Sequence, residues 1–321
     1  LRVYCNPEIE SHLVDETTIF TILSERKLGP KLYGNFDGGR LEEYIESRSL
    51  TCEEISIPAK SAKIAIELTK IHQLEVPISK EPDFLFDKLE RWLNQLKVTA
   101  SGQKCFDLPT QYGEAVPATI TCDDIEKELF YFKNKISTSS SYPVCFCHND
   151  LSEGNILKHE VRSGGEQQPS LKDDGLSDRS TYYSIVYWLI LIDFEYASYN
   201  YRGFDFANHF TEWSIDYDVD EYPFYKVNTE KFPSKDQMRN FFFSYIRQTE
   251  PGHSNLNGEA EKLYEETLPF VPIANFFWGV WGLLQAEKSP PGGFGYAESG
   301  RERLALYFHY KHLIENSGEK Q

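Results

Sequence analysis

Two short stretches of the chain carry residue types at spacings that can do chemistry. The first, Cys147-His148-Asn149-Asp150-Leu151-Ser152-Glu153-Gly154-Asn155, fits the pattern H-x-D-x-x-x-x-N. The second, Leu191-Ile192-Asp193-Phe194-Glu195, places an aspartate at the end of an apolar run. Phosphoryl transfer needs a carboxylate to orient and deprotonate an attacking hydroxyl, and oxygen ligands to hold Mg²⁺ against a triphosphate. Asp150 suits the first task, while Asn155 and Asp193 suit the second, because Mg²⁺ prefers hard oxygen donors. An aspartate ending a strand is common, so either stretch alone says little. In this order and spacing the two mark an ATP-dependent phosphotransferase.

These residues need short strands to carry them, and the sequence predicts strands over 144–147, 156–157 and 187–192. Upstream, residues 1–4 read as a strand, and Ser11 as the N-cap of a helix to about residue 26 that Gly29-Pro30 stops. Segments 31–36 and 40–45 flank Asp37-Gly38-Gly39 as a hairpin, with a hinge from Glu46 onward. Helical spacing links Ile57, Ile64, Leu68 and Ile71, and again Ile125, Leu129, Phe132 and Ile136 after Thr121. Helices are also predicted over 235–248, 259–287 and 301–315. The polar, Gly/Ser/Asp-rich run 159–182 reads as a mobile surface insertion. The expected division is 1–48, a partial N-lobe with its hinge, and 49–321, a mainly helical C-lobe.

The chain's 321 residues can bury a large core, and 22 Phe, 20 Tyr and 5 Trp exclude a disordered class. A net charge of −17 argues against nucleic-acid binding and for a cationic or metal-accompanied ligand. No uninterrupted apolar run approaches the roughly 20 residues of a bilayer span, and no secretory signal opens the chain, so a cytoplasmic protein without membrane insertion is expected. The six cysteines form no even framework. Cys145 and Cys147 are too close for a usual zinc pair and read as reduced thiols in a buried strand.

The run from Ile192 through Arg202-Gly203-Phe204-Asp205 to His209-Phe210, then Glu212-Trp213, resembles the choline/ethanolamine kinase family; protein kinases carry Gly where Glu195 stands. The likeness extends from Leu1 to about Tyr310 and includes Leu28-Gly29-Pro30-Lys31-Leu32-Tyr33-Gly34 and Gly39-Arg40-Leu41-Glu42-Glu43. It implies an α+β, protein-kinase-like fold with an incomplete N-terminal β-lobe and a large helical C-terminal lobe. It further implies phosphoryl transfer from ATP to choline, with Mg²⁺ bound by Asn155 and Asp193, the first step of phosphatidylcholine synthesis. Asp150 is then the base, His148 a loop-orienting residue, and Asp205 a brace for the catalytic loop. Arg2 takes the place of a phosphate-pairing lysine, with Glu16 or its competitor Asp15 as helix partner, and backbone groups of Glu43 to Ile45 would meet adenine.

A quaternary ammonium has no N–H to donate, so aromatic faces and carboxylates must recognise it. The resemblance assigns that pocket to Tyr196, Glu212, Tyr217, Phe224, Trp278 and Trp281, with a homodimer also implied. Ser299 stands where the family commonly has a further aromatic, and Tyr296 lies one turn earlier. The family also has a glycine-rich, phosphate-covering hairpin ahead of the Arg2 strand that this sequence does not include, from which weak ATP binding is expected. Ethanolamine kinase, an aminoglycoside-type phosphotransferase and a binding-only paralogue are the alternative readings.

Overall fold

The computed structural model describes residues 1–3, 10–36, 38–137, 142–161, 186–290 and 292–316. In chain order the elements begin with β1 (Arg2–Val3), α1 (Glu10–Glu25), β2 (Leu32–Phe36), β3 (Gly39–Glu42) and β4 (Arg48–Ser49). There follow α2 (Cys52–Ile55), α3 (Pro58–His72), α4 (Phe84–Lys97), β5 (Phe106–Asp107), β6 (Thr119–Ile120) and α5 (Cys122–Ser137). The catalytic segment comprises β7 (Val144–Cys147), β8 (Ile156–Val161), β9 (Val186–Leu191) and β10 (Ser198–Tyr201). The rest is α6 (Arg202–Glu212), β11 (Ile215–Asp216), β12 (Lys226–Val227), α7 (Lys235–Thr249), α8 (Leu256–Thr267), α9 (Phe270–Ala286), α10 (Tyr296–Tyr310) and α11 (His312–Glu315).

The first strands form a three-stranded antiparallel sheet, ordered β1-β3-β2, with α1 beside it. The hairpin turn needs positive φ at Gly38 (φ 84). The predicted helix starts one residue before Ser11, so Ser11 is not its cap, and it ends at Glu25, ahead of Gly29-Pro30. Its terminus is a Schellman closure, with Leu28 N–H to Leu23 O and Lys27 N–H to Ser24 O. Lys27 occupies the left-handed position (φ 58) usually given to glycine, and the helix ends within a residue of the predicted stop near Arg26.

The C-lobe packs helices around two aromatic cores. One joins α4, α5, α9 and α10 through Trp92, Phe132, Phe276, Phe277 and Tyr307. The other joins α3, α6 and α7 to the catalytic strands through Phe206, Phe210, Phe241 and Phe242. β4-β8-β9 form one sheet and β7-β10 a separate two-stranded ribbon, so the catalytic loop leaves β7 and the Asp193 loop leaves β9 side by side. Three bounds differ from expectation. The predicted helix 259–287 breaks at Leu268-Pro269 into α8 and α9, α10 starts at Tyr296, and β8 continues to Val161. Most of the proposed 159–182 insertion falls outside the described residues. The span Leu256–Ala286 is apolar enough to cross a bilayer by composition, but 83% of its apolar window is buried inside the fold.

Helices α9 and α10 approach closely because glycines face each other. A Cβ on Gly300 would lie 2.6 Å from Leu283 N and 2.9 Å from Gly279 O, and one on Gly282 would lie 2.9 Å from Gly300 Cα. Neither backbone can yield without moving its helix. Gly300→Ala should therefore cost about 1–3 kcal/mol of stability by overpacking. Urea unfolding of the two proteins checks this, and an unchanged midpoint would mean that the helices can separate freely.

Candidate active site

The loop after β7 is held from three directions. Asp205, in the first turn of α6 and fully buried, accepts the His148 N–H and the Asn149 N–H, each at 2.8 Å, and faces His72 Nε2 at 2.9 Å. Burial opposes the charge on Asp205, yet His72, His148 and the backbone donors hold its carboxyl below the usual range. Asn149, at φ 65, donates to Tyr196 O and accepts from Asn200 Nδ2. His148 Nδ1 accepts the Asp150 N–H at 3.3 Å, which leaves Nε2–H to donate to Ile192 O at 2.9 Å. The ring is thus a neutral tie between the two loops, and burial lowers its pKa accordingly. It orients, as its sequence context suggested.

Asp150 and Asn155 come together as the motif requires: Asn155 Nδ2 donates to Asp150 Oδ2 at 2.9 Å and to Asp150 O at 2.8 Å. With the amide nitrogen so engaged, Asn155 Oδ1 is the atom left to ligate a cation. Asp193 sits in the left-handed region (φ 63) at the mouth of β9, and its Oδ1 accepts from Arg2 Nη2 at 2.6 Å. Arg2 also lies 3.7 Å from Glu195. The expected Arg2–Glu16 pair does not form. Arg2 and Arg40 are cross-strand partners, and Arg40 takes Glu16 at 2.7 Å and Glu42 at 2.9 Å while stacking 3.9 Å over the Phe20 ring. The buried arginine of the pair claims the helix carboxylate, and the half-exposed one turns to Asp193.

Two clefts adjoin these loops. Glu43, Tyr44, Ile45 and Glu46 line one of about 280 Å³ together with Gly29 and Ile190, which fits the hinge expectation for Glu43 and Ile45. The Glu43 N–H already bonds Lys31 O at 2.8 Å, so a bound base would have to use groups beyond it. The second, also about 280 Å³, has Asp150 and Ser152 in its wall with Glu195, Tyr196, Glu212, Tyr217, Trp278 and Trp281. Its remaining lining is Phe294, Tyr296, Ser299 and Arg303.

The rings of this second cleft form a continuous chain. Centroid separations run Tyr196–Trp278 5.3 Å, Trp278–Trp281 5.4 Å, Trp281–Tyr296 5.6 Å, Tyr296–Phe294 4.9 Å and Phe294–Tyr217 6.1 Å. Trp278 is fixed by donating its indole N–H to Asn208 Oδ1 at 2.6 Å. Five of the six expected pocket residues are therefore brought together. Phe224 is not among them: at φ 65 in a turn closed by its own N–H to Glu221 O, it packs against Tyr222. Phe294 occupies the corresponding flank against Tyr217 and Tyr225. Its neighbours Gly292-Gly293 and Gly295 suggested only a loop.

Charge in the cleft is heavily one-sided. Burial, then Glu212, Asp193 and Glu195, pushes the Asp150 carboxyl well above the usual carboxylate range, with the Asn155 bond opposing. Glu195 is likewise raised, by burial and by Asp193. Glu212 is ion-paired: the buried Arg303 donates to its Oε1 at 2.5 Å and to the Tyr217 hydroxyl at 3.0 Å. Its Oε2 remains buried without a protein partner. The donor set of Asn155 and Asp193 is all oxygen, beside carboxylates that repel one another, which fits a hard divalent cation.

The far side of the loop is held by His209, whose Nδ1–H donates to Leu151 O at 3.0 Å while Nε2 accepts the Trp213 indole at 3.3 Å. Both nitrogens are satisfied only in the neutral form, and burial lowers the pKa to about 4. An unfolded histidine takes up its proton near pH 6.5, so this contribution is intact above that pH and is lost as pH falls toward 4. The loss should be of order 3 kcal/mol. Urea unfolding at pH 7 and pH 4 should show a smaller acid loss for His209→Asn than for the parent. Equal losses would show that His209 titrates normally.

Comparison with known proteins identifies the family. The family model for choline/ethanolamine kinase matches residues 1–308. Choline kinase A2 of Caenorhabditis elegans is 56% identical over 325 residues, covering 100% of this chain and 75% of the relative. The choline/ethanolamine kinase of Homo sapiens is 39% identical, covering 93% of this chain and 68% of the relative. Among solved structures, the choline kinase of Cryptosporidium parvum Iowa II superposes with TM-score 0.71 at 20% identity, over 99% of this chain and 82% of that one. The fold is thus the protein-kinase-like fold expected from sequence, and the chain belongs to the choline/ethanolamine kinase family.

Proposed function

We propose that this ATP-dependent kinase transfers the γ-phosphoryl group to the hydroxyl of choline, with Asp150 as the base. The observation that carries the reading is the ring chain Tyr196–Trp278–Trp281–Tyr296–Phe294–Tyr217 sharing one cleft with Asp150. A trimethylammonium in that cleft meets aromatic faces and the field of Glu212 and Glu195, and its two-carbon arm brings the hydroxyl to Asp150. Asp150 accepts the hydroxyl proton as the oxygen attacks the γ-phosphorus and ADP departs. Asn155 and Asp193 would hold Mg²⁺, which when bound offsets charge on the phosphates. Arg2 is positioned to follow Asp193 or a phosphate oxygen. Adenine would occupy the cleft bordered by Glu43 and Ile45, with residues 1–48 as N-lobe and hinge and the remainder as C-lobe. A cytoplasmic site, a role in phosphatidylcholine synthesis and a homodimer complete the proposal.

Ethanolamine is the second reading, and one observation favours it. The unpartnered Glu212 Oε2 could accept an N–H that choline lacks.

Asp150→Asn should lower turnover by roughly 10²–10⁴ with the fold intact, and near-normal turnover would remove Asp150 from its role. The same assay run in parallel on both amines separates the substrates: Trp281→Ala should raise the choline KM more than the ethanolamine KM, since one well-placed ring contributes roughly 0.5–2 kcal/mol. The opposite order would make ethanolamine the substrate. For the metal, Asp193→Ala should raise the Mg²⁺ requirement further than Asn155→Ala, a carboxylate contributing charge and an amide only a dipole. Small, equal shifts would place the metal elsewhere.

A further inference from the structure

Beside the Asp205 brace, His72 of α3 and Cys145 and Cys147 of β7 bring three ligand-type atoms within 4.8 Å of one another. We propose that this cluster is a binding site for a thiophilic divalent cation of the zinc type, with two thiolates and an imidazole as ligands.

The sulfurs stand 3.6 Å apart. Zinc–sulfur bonds of about 2.3 Å at a tetrahedral angle put two ligand sulfurs about 3.8 Å apart, so the pair already has nearly the required spacing. The one-residue separation works because alternate residues of a strand share a face. A disulfide is disfavoured by the same geometry. It needs Cβ atoms about 3.8 Å apart, whereas residues two apart on a strand are separated by roughly 6.6 Å along the chain. Closing that gap would bend β7, which is pinned to β10 at four consecutive register pairs from Val144↔Tyr201 to Cys147↔Ser198.

His72 is set up as metal-binding histidines usually are, with one ring nitrogen held by a carboxylate: Nε2 lies 2.9 Å from Asp205 Oδ2. Nδ1 faces the Tyr245 hydroxyl at 2.9 Å, an exchangeable partner. Cys147 is buried, while Cys145 is only half-buried and offers the way in. Burial pushes the Cys147 thiol up, so metal binding here would release protons from the sulfurs as they become ligands. A cation here would tie α3, β7 and α6 together through His72, the two cysteines and Asp205, behind a loop that Asp205 already positions. Neither the phosphoryl-transfer reading nor its Mg²⁺ ligands use these side chains.

The test takes the reduced, metal-free chain and titrates Co²⁺ as a spectroscopic probe. One equivalent should produce intense thiolate-to-metal charge-transfer absorption in the near ultraviolet, which an all-oxygen site cannot give. One equivalent of Zn²⁺ should abolish that band and raise Tm by several degrees. Cys145→Ser should lose the band and the Tm response, whereas Cys105→Ser, at an exposed cysteine, should keep both. Should Cys145→Ser fail to fold, alkylation of the parent decides: Zn²⁺ must protect Cys145 and Cys147 and leave Cys105 reactive. No band in the parent, a band of equal strength in Cys145→Ser, or equal alkylation with and without Zn²⁺ would each overturn the site. So would a Cys145–Cys147 disulfide found by peptide mapping after mild oxidation of the folded chain.

Discussion

Asp205 fixes the frame within which the catalytic loop can exist. Residues 148–150 follow no regular ladder, and Asn149 sits at φ 65, a conformation a non-glycine residue keeps only when its surroundings impose it. Two consecutive N–H groups of that buried turn would be orphaned without the carboxylate. The helix that supplies Asp205 supplies much else at helical spacing. Asn208 orients Trp278, His209 holds Leu151, and Glu212 meets Arg303. Positions 205, 208, 209 and 212 lie along one face of α6. Phe204, Phe206 and Phe210 point to the two aromatic cores that keep the helix still. One helix therefore positions both the reacting loop and the aromatic cleft, and the distance between them is set by a rigid element.

Electrostatics then determine what that frame accepts. Asp150, Asp193, Glu195 and Glu212 converge, offset in part by Arg2, Arg303 and Lys88. Bringing like charges together in a partly dry cleft raises their proton affinity, as the direction at Asp150 and Glu195 shows. A carboxyl whose proton affinity is raised in this way is harder to ionise. Cations relieve this: a metal at Asn155 and Asp193 and an ammonium in the ring cleft both lower the cost of ionising Asp150. Substrate and metal binding would thus favour the ionised carboxylate, and the net charge of −17 on the chain attracts such cations.

What the sequence revealed of this arrangement was what local chemistry encodes. Asp150 and Asn155 are five residues apart and bond directly, so their relation survives any tertiary detail. Trp278 and Trp281 share a helix face by periodicity alone. Choices between similar residues far apart were hidden. Arg2 and Arg40 are equally plausible partners for Glu16 until strand register and burial assign them. Phe224 and Phe294 are equally plausible walls until a positive-φ turn removes one. Arg303 gave no hint that it neutralises Glu212, since nothing in the chain links α10 to α6 before they pack.

The partial neutralisation of Glu212 bears on how the cleft separates its two candidate amines. A primary ammonium brings three N–H donors out of water, and each left unmatched carries a desolvation cost. Carboxylate acceptors for them line the cleft at Asp150, Glu195 and Glu212, although Glu212 Oε1 is engaged by Arg303. Ring faces attract the charge but do not substitute fully for hydrogen bonds. A trimethylammonium brings no donors and buries methyl groups against Trp278, Trp281 and Tyr296, so the same lining costs it less. Selectivity in this cleft then turns on how well those acceptors can match three N–H donors compared with how well the rings receive three methyl groups. Ser299, which adds a hydroxyl where an aromatic ring would add a face, shifts that balance toward the smaller amine without reversing it.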